Sequence, residues 1–191
     1  MPRYDPSKDI NPYVRFVAGD YPAHITKVTT RMVNVQKGKY RAEVYNITST
    51  INEAVSGTTF KTMDNKGVEK EVEGKHFIDK EIRHNGVFRF LDPLDIDEFE
   101  SNEGGNGKYM KLCEAVGAEL KEVKEGEHTL WEFPVIDESH LIGKPIIVTV
   151  GQGKKYLNKS NEWVYPMMGT DLCVWESGTP ITDPDKEELP F

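Results

Sequence analysis

The alternation of hydrophobic and polar residues predicts two long neighbouring strands in the first third of the chain. Residues 20–35 (DYPAHITKVTTRMVNV) and 39–51 (KYRAEVYNITSTI) are rich in β-branched residues, and a turn-like QKGK segment lies between them. β-Branched residues favour extended backbone, and the glycine of the segment favours a tight turn. We therefore expect residues 20–51 to form one long antiparallel hairpin.

Further along the chain, the pattern predicts one helix and additional strands. Three runs are typical of strands: 86–91 (GVFRFL), 145–150 (PIIVTV) and 163–176 (WVYPMMGTDLCVWE). Apolar residues at helical spacing predict an amphipathic helix over 106–121 (NGKYMKLCEAVGAELK). Residues 58–80 are polar and ambiguous, with a turn signal at Asn65, Lys66 and Gly67.

The order strand, strand, strand region, helix, strand, strand predicts a small, mainly β barrel. It is the order of the OB-fold, a five-stranded Greek-key barrel, here with one helix between the third and fourth strands. Other β-barrels with a single helix fit the pattern too. We expect an N-terminal arm at 1–19, an OB-fold domain with extra hairpins and loops at 20–176, and a disordered acidic tail at 177–191.

Length and composition favour one cytoplasmic domain without a cofactor. A chain of 191 residues is of single-domain size, and no long apolar run or secretory signal is evident. Cys113 and Cys173 lie outside any C-x-x-C pair, so we expect two reduced, partly buried thiols. The five histidines are scattered, and we predict isolated surface or turn histidines and no metal site.

The charge is unevenly distributed along the chain. The net charge is −8, which taken alone argues against binding to nucleic acid. Residues 92–103 hold six acids and no base, and residues 179–191 hold four acids and one lysine. Without these two segments, whose charges are −6 and −3, the remainder of the chain has a charge of +1. Local patches therefore carry more information than the net charge.

No motif in the sequence indicates an active site. Gly151 and Gly153 form a G-x-G segment without the third glycine or the Lys-Ser/Thr of a phosphate-binding loop. The acidic segment 92–103 lacks the spacing of an EF-hand and is interpreted as a solvated loop. We expect no enzyme, and the alternative is a metal-dependent nuclease that uses these acids, Asp95 and Asp97 among them.

Two basic clusters with interspersed aromatic residues are the main candidate binding surface. The residues expected to contact phosphates are Arg31, Lys37, Lys39, Arg41, Lys154, Lys155 and Lys159. The residues expected to stack on bases are Tyr40, Tyr45, Tyr156, Trp163 and Tyr165. Arg83, Phe88 and Arg89 of the third-strand region would extend the groove. Cations that follow a backbone, beside rings that stack on unpaired bases, are what a single strand requires.

The clusters fall in or beside the loops that bind nucleic acid in OB-folds, between strands one and two and between strands four and five. The alternative is that both loops are ordinary solvated turns and that Trp163 belongs to the core. A non-DNA-binding β-barrel, whose tail serves only solubility, remains a second interpretation of the same pattern.

The C-terminal segment has the composition of a ligand for a partner protein. It joins an acidic run to an apolar end, in the residues Asp183, Asp185, Glu187, Glu188, Leu189, Pro190 and Phe191. An apolar ring beside a free carboxylate fits a basic groove with an apolar pocket. We also predict that the tethered tail competes with DNA for the basic groove, so that removing residues 179–191 tightens DNA binding at low salt.

These segments resemble phage single-stranded DNA-binding proteins. DPDKEELPF is similar to the acidic tip of bacterial and phage SSB proteins, although Lys186 interrupts the acids and the linker lacks a Gly/Gln-rich stretch. GDYPAHITKV, NGKYMKLCEAVGAE and HLIGKPIIVTV resemble the layout of phage replication-module SSB-like proteins. The departures favour a viral protein, acting in the host cytoplasm.

The resemblance implies an OB-fold that binds single-stranded DNA without sequence specificity in replication, recombination and repair. It also implies that the tail recruits a polymerase, helicase, nuclease or recombinase. No membrane partner is expected, and the sequence leaves a homo-oligomer open.

Overall fold

A computed structural model describes residues 15–63, 66–92, 105–126 and 128–181. Within these ranges the chain is mainly β, as predicted. Its strands are β1 (Gly19–Val35), β2 (Tyr40–Ile51), β3 (Thr59–Met63), β4 (Glu69–Glu73), β5 (Glu81–Arg83), β6 (Val87–Phe90), β7 (Lys121–Glu125), β8 (His128–Glu132), β9 (Pro145–Gln152), β10 (Tyr156–Leu157), β11 (Trp163–Val164) and β12 (Met167–Val174). Its α-helices are α1 (Gly107–Ala115) and α2 (Glu138–Leu141).

The predicted long hairpin is confirmed. β1 and β2 pair antiparallel from Ala23 opposite Ile51 to Val35 opposite Tyr40. The turn between them has a left-handed backbone at Lys37 and Gly38, with φ of 55° and 91°. Glycine adopts this conformation without steric cost because it has no Cβ. The register shifts by one residue between Ile25 and Lys27, and this bulge decides which side chains of β1 face inward.

The hairpin is the centre of a six-stranded antiparallel sheet. The sheet order is β12-β9-β1-β2-β5, and β6 also pairs with β2. The two ends of this order touch, because His84 and Gly169 form a parallel bridge and the Asn85 N–H donates to the Gly169 carbonyl at 2.9 Å. The end of β5 therefore lies beside the start of β12.

The main core fills one side of this sheet. Its largest fully buried side chains include Tyr21, Tyr45, Tyr109 and Phe77, and α1 contributes Leu112 and Cys113. Cys113 and Cys173 are unpaired, with Cys113 buried and Cys173 exposed rather than partly buried. The prediction of surface histidines is wrong for His24 and His84, which are buried because β1 and the β5–β12 contact enclose them.

Several predicted element boundaries are corrected. The helix ends at Ala115 and not near 121, because Gly117 adopts a left-handed φ of 69° and the chain turns toward β7. The ambiguous stretch 58–80 contains the β3–β4 hairpin, whose tip at 64–65 lies outside the described residues. The predicted final strand is interrupted before Met167, since Pro166 has no N–H to offer a strand neighbour.

Residues beyond Glu176, the predicted end of the domain, still form hydrogen bonds with the sheet and with the turn after α2. His24 Nε2 donates to the Thr179 carbonyl at 2.8 Å, and the Ile181 N–H donates to the Gly143 carbonyl at 3.0 Å. Residues 1–14 of the predicted arm and residues 182–191 of the predicted tail lie outside the described residues. Any tail deletion should accordingly begin at Thr182, so that these contacts are kept.

The contact between the sheet ends makes Gly169 a sensitive position. A Cβ on Gly169 would lie 2.5 Å from His84 Nδ1, and the imidazole is buried, so one of the two must shift. We expect Gly169→Ala to lower the free energy of unfolding by about 1–3 kcal/mol, the usual cost of overpacking. Urea unfolding measures it, with Gly107→Ala as control, because a Cβ there meets nothing within 4 Å. Equal stability of the two variants would contradict the importance of this contact.

Candidate nucleic-acid interface

The hairpin β10–β11 stands at the centre of the candidate surface. Tyr156 pairs with Val164, and Leu157 pairs with Trp163. Asn158 organises the turn: its side-chain oxygen accepts from the backbone N–H groups of Ser160 at 2.8 Å and Glu162 at 3.0 Å. A short hairpin with such a turn presents its side chains in a defined arrangement rather than as a loose loop.

The aromatic residues of this hairpin are open to solvent. Trp163, Tyr156 and Tyr165 are 56%, 51% and 51% exposed. The alternative in which Trp163 belongs to the core is therefore wrong. Lys155 Nζ lies 4.7 Å from the centroid of the Trp163 ring, a cation–π contact that orients the indole. Clustered exposed aromatic residues mark interaction sites, because monomeric proteins seldom leave such surface unused.

Lysine side chains surround these rings. Lys154, Lys155 and Lys159 are all exposed; the first two directly precede β10, and Lys159 lies in the turn of the hairpin. The arrangement combines positive charge with flat apolar surface within fewer than twenty residues of chain. It is suited to a ligand that has both anionic groups and exposed planar faces.

A second cationic region lies on the outer face of the sheet, opposite the main core. The strand register aligns Arg31, Val44 and Phe88 in one row across β1, β2 and β6. On the same face, beyond the row that pairs Thr29 with Asn46, a further row aligns Lys27, Thr48 and Arg83. Arg31 and Arg83 are exposed and Phe88 is half-buried, so three predicted site residues share one face. Lys27, which the sequence analysis missed, joins them and pairs with Glu81 at 2.6 Å.

The same face carries a small apolar cluster. Tyr40, Ala42 and Phe90 are buried there, with Val33, Val35 and Phe88 packed against them. Tyr40 was predicted to stack on bases. This prediction is wrong, because its ring is buried in the cluster. The Phe88 ring stacks on Phe90 with 6.1 Å between centroids and keeps an accessible portion.

Two further predicted residues face inward. Tyr45 has no exposed surface, its ring lies 5.4 Å from that of Tyr109, and its hydroxyl donates to Glu43 at 2.9 Å. Burial raises the pKa of Tyr45. Arg89 donates to the same Glu43 carboxylate at 3.0 Å and lies over the Tyr109 ring. Both predictions are corrected, since these side chains form an internal polar contact and are not presented to a ligand.

The tip of the β1–β2 hairpin is exposed but already contains an ion pair. Lys37 and Lys39 are exposed, whereas the Arg41 guanidinium donates to Asp92 at 2.7 Å and its backbone N–H donates to the same carboxylate at 2.7 Å. These bonds hold the pKa of Asp92 below its ordinary value. A phosphate would have to compete with Asp92 for Arg41. Residues 93–103 of the acidic segment lie outside the described residues.

The base of the β10–β11 hairpin lies near the contact between the sheet ends. The Gly153 N–H donates to the Pro166 carbonyl at 2.8 Å and closes the base of the β10–β11 hairpin. Gly169 follows a few residues later and bridges to His84, the residue after Arg83. The aromatic hairpin therefore leaves the sheet beside the strand that carries Arg83.

The described ranges contain no cluster of three or more His, Cys, Asp or Glu side chains able to hold a metal ion. In the same ranges, no helix has the length and apolar character needed to cross a membrane. The predicted partner-binding residues Asp183, Asp185 and Glu187–Phe191 lie beyond Ile181, outside the described residues.

Comparisons with known proteins leave the surface to be interpreted from its own chemistry. The chain matches no protein-family model, and searches of curated proteins and of solved structures find no significant match.

Proposed function

We propose that the sheet is an OB-type barrel. The parallel contact of His84 with Gly169 joins the two ends of the sheet order, which is what closure of such a barrel requires. The helix α1 follows β6 and precedes β9, in the position that the OB-fold gives its helix between the third and fourth strands. In this assignment β10–β11 elaborates the loop between the last two barrel strands.

We propose that the protein binds single-stranded DNA without sequence specificity and has no catalytic activity. The observation that carries this proposal is the exposed aromatic hairpin, in which Trp163, Tyr156 and Tyr165 lie among lysines. Every unpaired base offers a planar face, so stacking tolerates any sequence, whereas a duplex covers those faces. The resemblance to phage SSB proteins supports a role in viral DNA replication and recombination, with partners recruited through the acidic C-terminal tip.

Binding to oligo-dT tests this proposal. Stacking of bases on the exposed Trp163 should quench the tryptophan fluorescence of the full chain, and rising salt should reverse the quenching as phosphate contacts are lost. Absence of quenching together with absence of a mobility shift would contradict DNA binding. That result would favour the alternative of a β-barrel that interacts with protein partners only.

The lysines of the hairpin should control the salt dependence of binding. Lys154 and Lys159 are exposed and neither contacts the Trp163 ring in the described contacts, so their replacement separates charge from stacking. Because each lost phosphate contact on a single strand reduces the slope of log K against log salt by about 0.7, Lys154→Gln with Lys159→Gln should reduce it by about 1.4.

Lys121→Gln with Lys124→Gln on the β7–β8 hairpin removes the same charge at exposed positions elsewhere. Titrations at several salt concentrations should leave the slope of this control unchanged. An equal fall in both double variants would show that only the overall charge of the protein matters.

A further inference from the structure

A groove of about 220 Å³ lies between the end of α1 and α2, and none of its lining residues belongs to the aromatic hairpin. Ala118, Pro134, Val135 and Ile136 supply its apolar lining, and His140 and Lys144 contribute basic groups. Cavities of about 150 Å³ accommodate a benzene molecule in other proteins, so this groove has room for one phenyl ring. Asp137 lies 3.8 Å from the His140 ring and is the acidic group nearest to it in the described contacts.

The C-terminal segment begins next to this groove. The Ile181 N–H donates to the Gly143 carbonyl at 3.0 Å, and Lys144, which lines the groove, is the next residue after Gly143. The ten residues 182–191 follow Ile181. An extended chain of ten residues spans up to about 33–36 Å, so its end can reach every part of a groove that starts beside Ile181.

The chemistry of the segment matches that of the groove. Residues 182–191 carry four acids and one lysine, and they include Leu189, Pro190 and Phe191. The ring of Phe191 suits the apolar lining, and the negative groups suit Lys144. Tethering makes the local concentration of this ligand high, on the order of millimolar for a short flexible linker.

We propose that the C-terminal Leu-Pro-Phe end of this chain docks in the groove formed by Ala118, Pro134, Val135 and Ile136, with Lys144 opposite its negative charge. The docked end is then held by residues outside the aromatic hairpin of the same molecule, until a partner with a stronger basic pocket removes it. This site differs from the basic DNA surface for which the tail was predicted to compete, and the inference does not rest on DNA binding.

Amide NMR spectra of the full chain test the proposal. We expect Leu189→Ser with Phe191→Ser to change the backbone amide shifts of Ala118, Ile136 and Lys144. We expect Val135→Asp, at an exposed position in the groove, to change the amide shifts of Leu189 and Phe191 in return. Met63→Ser, at an exposed apolar position on β3, is the matched control and should change neither group.

The distribution of the shift changes decides the outcome. Changes confined to Arg31, Arg83 and Trp163 would overturn the proposal and place the tail on the DNA surface. No change beyond the neighbours of the substituted residues would overturn it as well. Docking within one molecule predicts shifts that are independent of protein concentration; shifts that vanish on dilution would assign the groove to the tail of a second copy and contradict the proposal.

Discussion

Replacing Trp163 and Tyr165 with alanine should weaken binding to oligo-dT by roughly 30-fold or more, because each base stacked on an aromatic ring contributes about 1–3 kcal/mol. Both rings are more than half exposed, so their removal costs little stability and the loss can be assigned to binding. Fluorescence anisotropy of labelled oligo-dT measures the affinity, and thermal unfolding confirms that the variant is folded.

Trp131 provides the matched control for this experiment. It is 43% exposed, on the β7–β8 hairpin, which belongs to a separate two-stranded sheet. Trp131→Ala removes a similar indole but should leave the affinity for oligo-dT unchanged. If Trp131→Ala weakened binding as much as the double variant, the β10–β11 hairpin would not be the stacking site.

The second large effect is a loss of stability as the pH falls. Burial lowers the pKa of His84 from 6.5 to about 4. His84 Nε2 shares a hydrogen bond of 2.9 Å with Ser49 Oγ, and Nδ1 has no hydrogen-bond partner among the described residues. A proton added to this ring would be buried without an acceptor at Nδ1, which opposes protonation in the folded state.

The sign of the effect follows from the two pKa values. Between pH 6.5 and about 4 the unfolded chain binds a proton at His84 that the folded chain does not. The contribution of neutral His84 to the free energy of unfolding is therefore complete above pH 6.5 and is lost as the pH falls toward 4. Over this window it amounts to about 3 kcal/mol, at about 1.4 kcal/mol for each pH unit.

Urea unfolding at pH 7 and pH 4.5 measures this loss, and His84→Gln isolates it. Glutamine retains a group able to bond Ser49 but does not titrate, so the variant should be less sensitive to pH than the wild-type chain. His140→Gln, at an exposed position, is the control and should behave as the wild type. Identical pH dependence of the His84 variant and the wild type would contradict the assignment.

The long hairpin and the mainly β character were predictable because β-branched runs and turn residues are local signals, whereas the β7–β8 hairpin and the short helix α2 were not predicted. The direction in which a side chain points was not predictable, because it depends on which strands pair and in which register. The bulge after Ile25 and the pairing of Val44 with Phe88 decide that Arg31 and Phe88 share the outer face. The sequence also does not reveal that this face has its own apolar cluster, which takes Tyr40 out of solvent.

In the candidate site too, the features set by neighbouring residues were predictable and those set by strand pairing were not. Trp163 and its lysines were predictable because they lie within a short basic loop, and a short hairpin leaves large side chains exposed. Arg89 was misassigned because its partner Glu43 is distant in sequence and becomes a neighbour only when β2 and β6 pair. The Arg41–Asp92 ion pair was missed for the same reason.

The most direct test of the proposed function is a titration of the full chain with single-stranded and duplex DNA of the same length and sequence, each at two salt concentrations. Binding through stacking on exposed rings predicts a clear preference for the single strand that persists at the higher salt, while the absolute affinity falls. Equal affinity for the single strand and the duplex at both salt concentrations would contradict the proposal that exposed bases are what this surface recognises.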